Sequence, residues 1–217
     1  CPTRGDGWQI DYDQKVTGGP LAIGFDESYI IPASLDMFPY LYLKNDKPTA
    51  WANTTKAFHR PGPAAEDFEA VNCLIDFARE SRAYIASRAE SKKPFFLYVP
   101  LTSPHTPIVP SKKWQGKSGL GIYGDFLMET DWVVGEVLAE LDQQKLADNT
   151  IVIFMSDHGE MLGDHGFYLK GPHFYDEAVR VPLIISWKDR IQSEVRADCL
   201  MELIDIAPTL LEASGID

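Results

Sequence analysis

Hydrophobic residues recur at helical spacing from Ala64 onward, where Phe68, Val71, Leu74, Ile75, Ala78 and Ile85 fall near one face. Asp and Glu occupy the early turns of this segment, where the helix dipole favours them. "KKP" closes it, and "FFLYVP" follows as a short apolar run of the kind that forms a strand buried on both faces. A second helical pattern runs from Ile122 to Gln144, with Phe126, Val133, Val134, Val137, Leu138 and Leu141 expected to face inward. "DNT" turns the chain into "IVIFMS", a second apolar strand, and "VPLIIS" from Val181 predicts a third. "DIAPTLLEASG" then reads as a helix that Asp205 can cap, that tolerates Pro208 in its first turn, and that Gly215 stops.

Residues 1–63 show no sustained period and are punctuated by "TGGP", "IPASLDMFPY" and "RPGPA". Their many aromatics argue for an ordered, loop-rich segment packed on a core, with residues 64–217 supplying the core portion. Helix alternating with apolar strand predicts an α/β fold whose mostly parallel sheet is flanked by helices.

Composition narrows the partners. The chain has 217 residues, enough for a real core, and its 20 basic against 32 acidic residues give a formal charge of -12. That balance disfavours nucleic acid and anionic membrane surfaces, so an anionic substrate needs a local positive site. No apolar run reaches the ~18 residues of a membrane span, and the first residues have no signal-peptide pattern. Because the chain starts at Cys1 without methionine, a processed or truncated piece of a longer protein is expected. Three scattered cysteines, Cys1, Cys73 and Cys199, allow at most one bridge and no Cys-rich zinc site. "NTT" at Asn53 matches the glycosylation triplet of secreted eukaryotic proteins.

In open α/β sheets, ligands bind beyond the carboxyl ends of strands. "FFLYVP" runs into "LTSPHTP" with His105, and "IVIFMS" runs into Asp157 and His158. Carboxylate and imidazole make a ligand pair for a divalent cation, with Gly159 permitting the sharp turn that aims both at one point. The competing reading has Asp157 capping the turn and His158 in solvent. His105 suits a general acid or a donor to an anion, or else a loop residue satisfied by backbone. Lys170 is either held against its aromatic neighbours or an ordinary surface lysine. His173 is a candidate for the substrate mouth; Asp164 and His165 read as turn chemistry with at most a supporting role, and His59 as incidental.

Together "LTSPHTP", "SDHGEMLGDHGFYLKG" and "YDEAVRVPLIISW" resemble the sulfatase family of the alkaline-phosphatase superfamily, and "GGPLAIGFDESYIIPASLDMFPYLYLKND" resembles the arylsulfatase segment after the catalytic region. The resemblance implies a sulfatase-like α/β domain, here incomplete, that hydrolyses sulfate esters with one divalent cation, usually calcium, and a formylglycine nucleophile made from Cys or Ser. By motif, Asp157 and His158 are implied metal ligands, while His105 and Lys170 are implied to contact the sulfate and its leaving oxygen. A sulfated small molecule or sulfated glycan is the implied substrate, and an exported location (periplasmic, secreted or lysosomal) the implied compartment.

The departure from the pattern lies in the nucleophile. No C-x-P-S-R motif or Ser version occurs, nor the paired aspartates that complete the family's metal shell, and "CPTR" at Cys1 is one residue short. The chain is therefore expected to be an interior portion of a sulfatase, inactive alone. The alternatives are a phosphodiesterase or phosphonate monoester hydrolase of the same superfamily, and an inactive binding or scaffold fragment.

Overall fold

The computed structural model describes residues 9–216; the "CPTR" near miss lies outside them. The chain forms two compact units that divide between Lys145 and Leu146.

The first unit opens with small antiparallel ladders. Strands β1 (Tyr29–Ile30), β2 (Leu43–Lys44) and β3 (Lys47–Pro48) form one, and β4 (Thr54–Ala57) pairs with β5 (Pro61–Ala64) in another. Their aromatics make the core expected of a loop-rich segment without periodicity. Tyr40, Leu41 and Leu35 are buried with Phe68, Cys73 and Phe77, and Tyr29 stacks on Tyr42 at 4.8 Å between centroids.

Helix α1 spans Cys73–Arg88, so the helical pattern read from Ala64 begins in ordered structure of another kind. Residues 63–65 are extended because Tyr40 takes their backbone groups: its N–H donates to the Pro63 carbonyl and its carbonyl accepts from the Ala65 N–H, both at 2.9 Å. Two faces of α1 are used. Cys73 and Phe77 enter the aromatic core, while Leu74 and Ala78 pack with Phe126 and Val133 of α2 (Gly121–Gln143). Ile75 and Leu138, expected inside, are exposed.

Helix α2 buries carboxylates as well as apolar side chains. Asp125, Glu129 and Glu140 are at most 5% exposed. Arg82 on α1 reaches across to donate to Glu140 Oε2 (3.1 Å) and Glu136 Oε2 (2.7 Å). Asp125 accepts from the Ser118 N–H (2.8 Å), the Gly116 N–H (2.7 Å) and the Ser118 hydroxyl (2.8 Å). These bonds, the Ser118 amide first, hold its carboxyl below the ordinary range. Glu140 is likewise lowered by Gln144 and Arg82. A depressed folded pKa contributes stability above the unfolded value and loses it as pH falls through the folded one. Urea unfolding midpoints should therefore drop as pH falls below about 4, and Asp125→Ala should be less stable at neutral pH with a shallower acid loss. An unchanged acid slope in the variant would count against this account.

"FFLYVP" forms no strand ladder among the described residues. Its burial alternates, with Phe95, Leu97 and Val99 half-buried and Phe96 62% exposed, so it covers one face and not two.

In the second unit, β6 (Val152–Met155) pairs with β7 (Leu183–Ser186), in register Val152↔Ser186 through Met155↔Leu183. The pairing is antiparallel. The α/β, sulfatase-like class stands, but the ladders of the described residues do not show the parallel character expected of the sheet; one isolated bridge, Tyr40 to Ala64, is parallel. The connection between β6 and β7 explains this: it contains only the one-turn helix α3 (Asp176–Val179) and a 3-10 turn, not the long crossover helix that returns a strand in parallel. Neither strand is buried on both faces, since Phe154, Met155 and Ile184 are exposed. Helix α4 (Ile206–Ala213) closes the unit. Asp205 stands at the N-cap but its carboxylate makes no cap bond to α4; it accepts the Glu202 N–H (2.9 Å) in the preceding 3-10 turn, and Gly215 beyond the helix end takes the left-handed conformation (φ 69°).

Candidate functional site

Strand β6 delivers the chain to Ser156, whose hydroxyl donates to the His158 carbonyl at 2.8 Å. Asp157 Oδ1 accepts the His158 N–H at 3.0 Å, so this carboxylate does shape its own turn, as the cap reading required. Its second oxygen faces the His158 ring, and the side chain is 81% exposed. Gly159 then passes directly against α3. Its N–H donates to the Ala178 carbonyl at 2.8 Å, and a Cβ there would lie 1.9 Å from the Glu177 carbonyl oxygen. Only glycine lets the chain approach so closely. Two residues further on, Met161 is fully buried and anchors the loop.

The His158 ring is oriented by its two nitrogens. Nδ1 lies 2.8 Å from the Gly159 carbonyl, which can only accept, so Nδ1 carries the proton. Nε2 then presents a lone pair, which the Lys170 ammonium meets at 2.8 Å. Asp157 Oδ2 is 3.5 Å from the same Nε2. Three of the predicted residues, Asp157, His158 and Lys170, thus meet around one point, and the lysine is held rather than free.

The donor set fits a divalent cation as half a shell. A carboxylate oxygen and an imidazole nitrogen 3.5 Å apart can share an ion bound at about 2.0 to 2.5 Å from each, provided the Lys170 ammonium, 2.8 Å from Nε2 in this structure, gives up that lone pair. Among the described residues, no group of three or more His, Cys, Asp or Glu is placed to hold a metal.

The second triplet does different work. His165 has a left-handed backbone (φ 54°), stacks on Tyr175 at 4.2 Å, and places Nε2 3.6 Å from Glu177 Oε2. His173 packs on Phe167 at 4.3 Å, in the same group of rings. His59 is exposed.

His105 belongs to the first unit. Its Nδ1 donates to the Thr106 carbonyl at 2.7 Å, with Ser34 Oγ 3.4 Å from the same nitrogen. Both contacts are made by Nδ1; Nε2 makes no hydrogen bond among the described residues. Burial opposes ionisation of nearby Asp36, but the Ser34 hydroxyl, the His105 ring and Arg60 outweigh it and hold the carboxyl below its usual range. Asp36 Oδ1 is buried with no hydrogen-bond partner among the described residues. Sequence reasoning missed this surround. Asp36 had a signal, as a lone carboxylate inside the apolar "LDMF" run; Ser34 had none.

Burial pushes the Cys73 thiol up to about 12, and Cys199 is exposed in a loop; both are free.

Comparison with known proteins agrees with the motifs. Residues 24–216 match the sulfatase family profile. An N-acetylgalactosamine-6-O-sulfatase of Bacteroides thetaiotaomicron is 27% identical over 92% of this chain and 50% of its own length. Human arylsulfatase H is 35% identical over 63% of this chain and 26% of its own, and human steryl-sulfatase 33% over 63% and 25%. A solved structure from the metabolism of multiple glycosaminoglycans by Bacteroides thetaiotaomicron superposes with a TM-score of 0.81 at 24% identity, covering 96% of this chain and 54% of the other. A sulfatase from Pseudoalteromonas sp. gives 0.64 at 24% identity, covering 82% and 36%. The chain spans half the length of the bacterial relative and about a quarter of the human ones. The family match over residues 24–216, nearly all of the chain, places it in the sulfatase family.

Proposed function

We propose that this chain is the portion of a sulfuric ester hydrolase that contributes half of a divalent-metal site and the groups that grip the ester. The observation that carries the reading is the convergence of Asp157 Oδ2 and the Lys170 ammonium on His158 Nε2. Asp157 and His158 would hold the cation, which by the family resemblance is calcium and supplies Lewis-acid stabilisation of charge on the sulfuryl oxygens. The nucleophile, a formylglycine in the family, would come from sequence outside these 217 residues.

This chain's own residues account for the rest. The Nδ1–H bond to Gly159 keeps the Nε2 lone pair of His158 directed outward. Lys170 brings fixed positive charge to an anion in a protein of net charge -12. His105, with Nδ1–H tied to the Thr106 carbonyl, would donate from Nε2 to the ester or its departing oxygen as the imidazolium, which carries a proton on both nitrogens. His173 is assigned to the substrate side of Lys170. The names of the relatives favour a sulfated glycan or a small sulfated molecule as substrate, and an exported compartment suits the family. No helix among the described residues is long and apolar enough to cross a membrane.

The decisive experiment compares aryl-sulfate with aryl-phosphodiester turnover by the complete enzyme, and by residues 1–217 alone. Sulfate turnover should dominate in the first, and the second should show none. Dominant phosphodiester turnover would transfer the chain's role to the phosphodiesterase branch, and sulfatase activity of residues 1–217 alone would refute the half-site reading.

A further inference from the structure

Periodicity assigns α2 an apolar inner face, yet the helix also buries Asp125, Glu129 and Thr130. All three reach one stretch of chain, the loop that leaves "FFLYVP" and carries His105. Thr130 Oγ1 donates to the Phe126 carbonyl at 2.9 Å and lies 2.5 Å from the Ser103 hydroxyl, which donates to it in turn. Glu129 Oε2 accepts the Ser111 N–H at 2.8 Å. Asp125 holds the loop's far end at Gly116 and Ser118.

We infer that Glu129 and Thr130 are positioning residues for His105: adjacent on α2, they grip its loop at Ser103 and Ser111, one on each side, and so set where the imidazole stands. This rests on the reading that His105 contacts the ester.

Glu129 is 0% exposed, and its Oε1 is buried without a hydrogen-bond partner among the described residues. Burying a carboxylate is costly, and an apolar residue of similar size would fill the space at no such cost. The carboxylate gives a charge-assisted bond to a single loop amide, which no apolar side chain supplies. Leu101, Ile108 and Val109 of the loop pack against Leu74, Ala78, Phe126 and Val133, so the polar grips fix register on a surface that greasy contacts alone leave free to slide. Among the described residues, the His105 ring makes hydrogen bonds to the Thr106 carbonyl and, at 3.4 Å, Ser34, with the Asp36 carboxylate nearby. A misplacement of about 1 Å in a reacting group costs rate on the order of a hundredfold.

The test pairs two readouts. The imidazole nitrogen NMR signals of His105 are recorded in this chain, and kcat and KM are measured in the complete enzyme. In Glu129→Leu the His105 signals should shift or split, and kcat should fall by about tenfold or more with KM changing less. Glu129→Gln should rescue both, because its amide oxygen still accepts from Ser111. Thr130→Val, which keeps the volume, should act in the same sense and decides the matter if Glu129→Leu does not fold. Folded variants with unchanged His105 signals and kcat within about twofold of the parent would overturn the inference, as would loss of folding in all three. If His105→Ala leaves turnover intact, the role given to His105 fails, while the NMR arm still decides whether α2 holds the ring.

Discussion

Lys170→Ala should lower sulfate-ester turnover of the complete enzyme by about 10² to 10³-fold, the usual effect of removing one fixed donor aimed at developing charge. The loss should fall on kcat more than KM, because charge on the leaving oxygen grows toward the transition state. In this structure the Lys170 ammonium takes the His158 Nε2 lone pair at 2.8 Å; a cation bound at Nε2 would displace it from that nitrogen and leave it beside the site to face an anion. Lys170→Arg keeps the charge but not the compact point geometry, so it should recover only part of the rate. A fall of less than about threefold in Lys170→Ala would remove the lysine from the mechanism.

Gly159→Ala should be the most damaging small substitution in the second unit. The added methyl would lie 1.9 Å from the Glu177 carbonyl oxygen, a backbone atom that cannot swing aside. Relief requires the Asp157–His158 turn or α3 to move, which breaks the Gly159 N–H bond to Ala178. Overpacking of this kind costs about 3 kcal/mol or more. Chemical denaturation should show that loss, and protease cleavage should appear between β6 and α3. A variant as stable as the parent would mean that the two segments separate more freely than their packing implies.

The meeting of Asp157, His158 and Lys170 was legible because it is local. Asp157, His158 and Gly159 are consecutive at a strand end, and Lys170 returns within one short loop, so the residues that meet are close in sequence. The His105 surround was not, because Ser34 and Arg60 reach it from distant segments through packing that leaves no periodic trace. Helix existence was readable and the start of α1 was not, since tertiary bonds from Tyr40 outcompete helix formation at Pro63 and Ala65. The apolar strands misled in a consistent way. "FFLYVP", "IVIFMS" and "VPLIIS" contain too few polar residues to show alternation, yet all three leave apolar side chains exposed among the described residues. Strand direction escaped the sequence for a different reason: it depends on the route of the connection from β6 to β7, whose Gly- and aromatic-rich composition does not declare that it lacks a crossover helix.

The buried carboxylates of α2 also bear on how the sequence can drift. Ordinary helices vary at their charged positions and keep their leucines. On α2 the freedom is reversed at several sites: Leu127 and Leu138, 42% and 41% exposed, are open to polar replacement, whereas Asp125, Glu129 and Glu140 each answer to particular partners. Neutral variation along this helix should therefore accumulate at Leu127 and Leu138 but not at buried Leu141, and a substitution matrix that scores by hydrophobicity alone would misrank these two leucines against the three carboxylates.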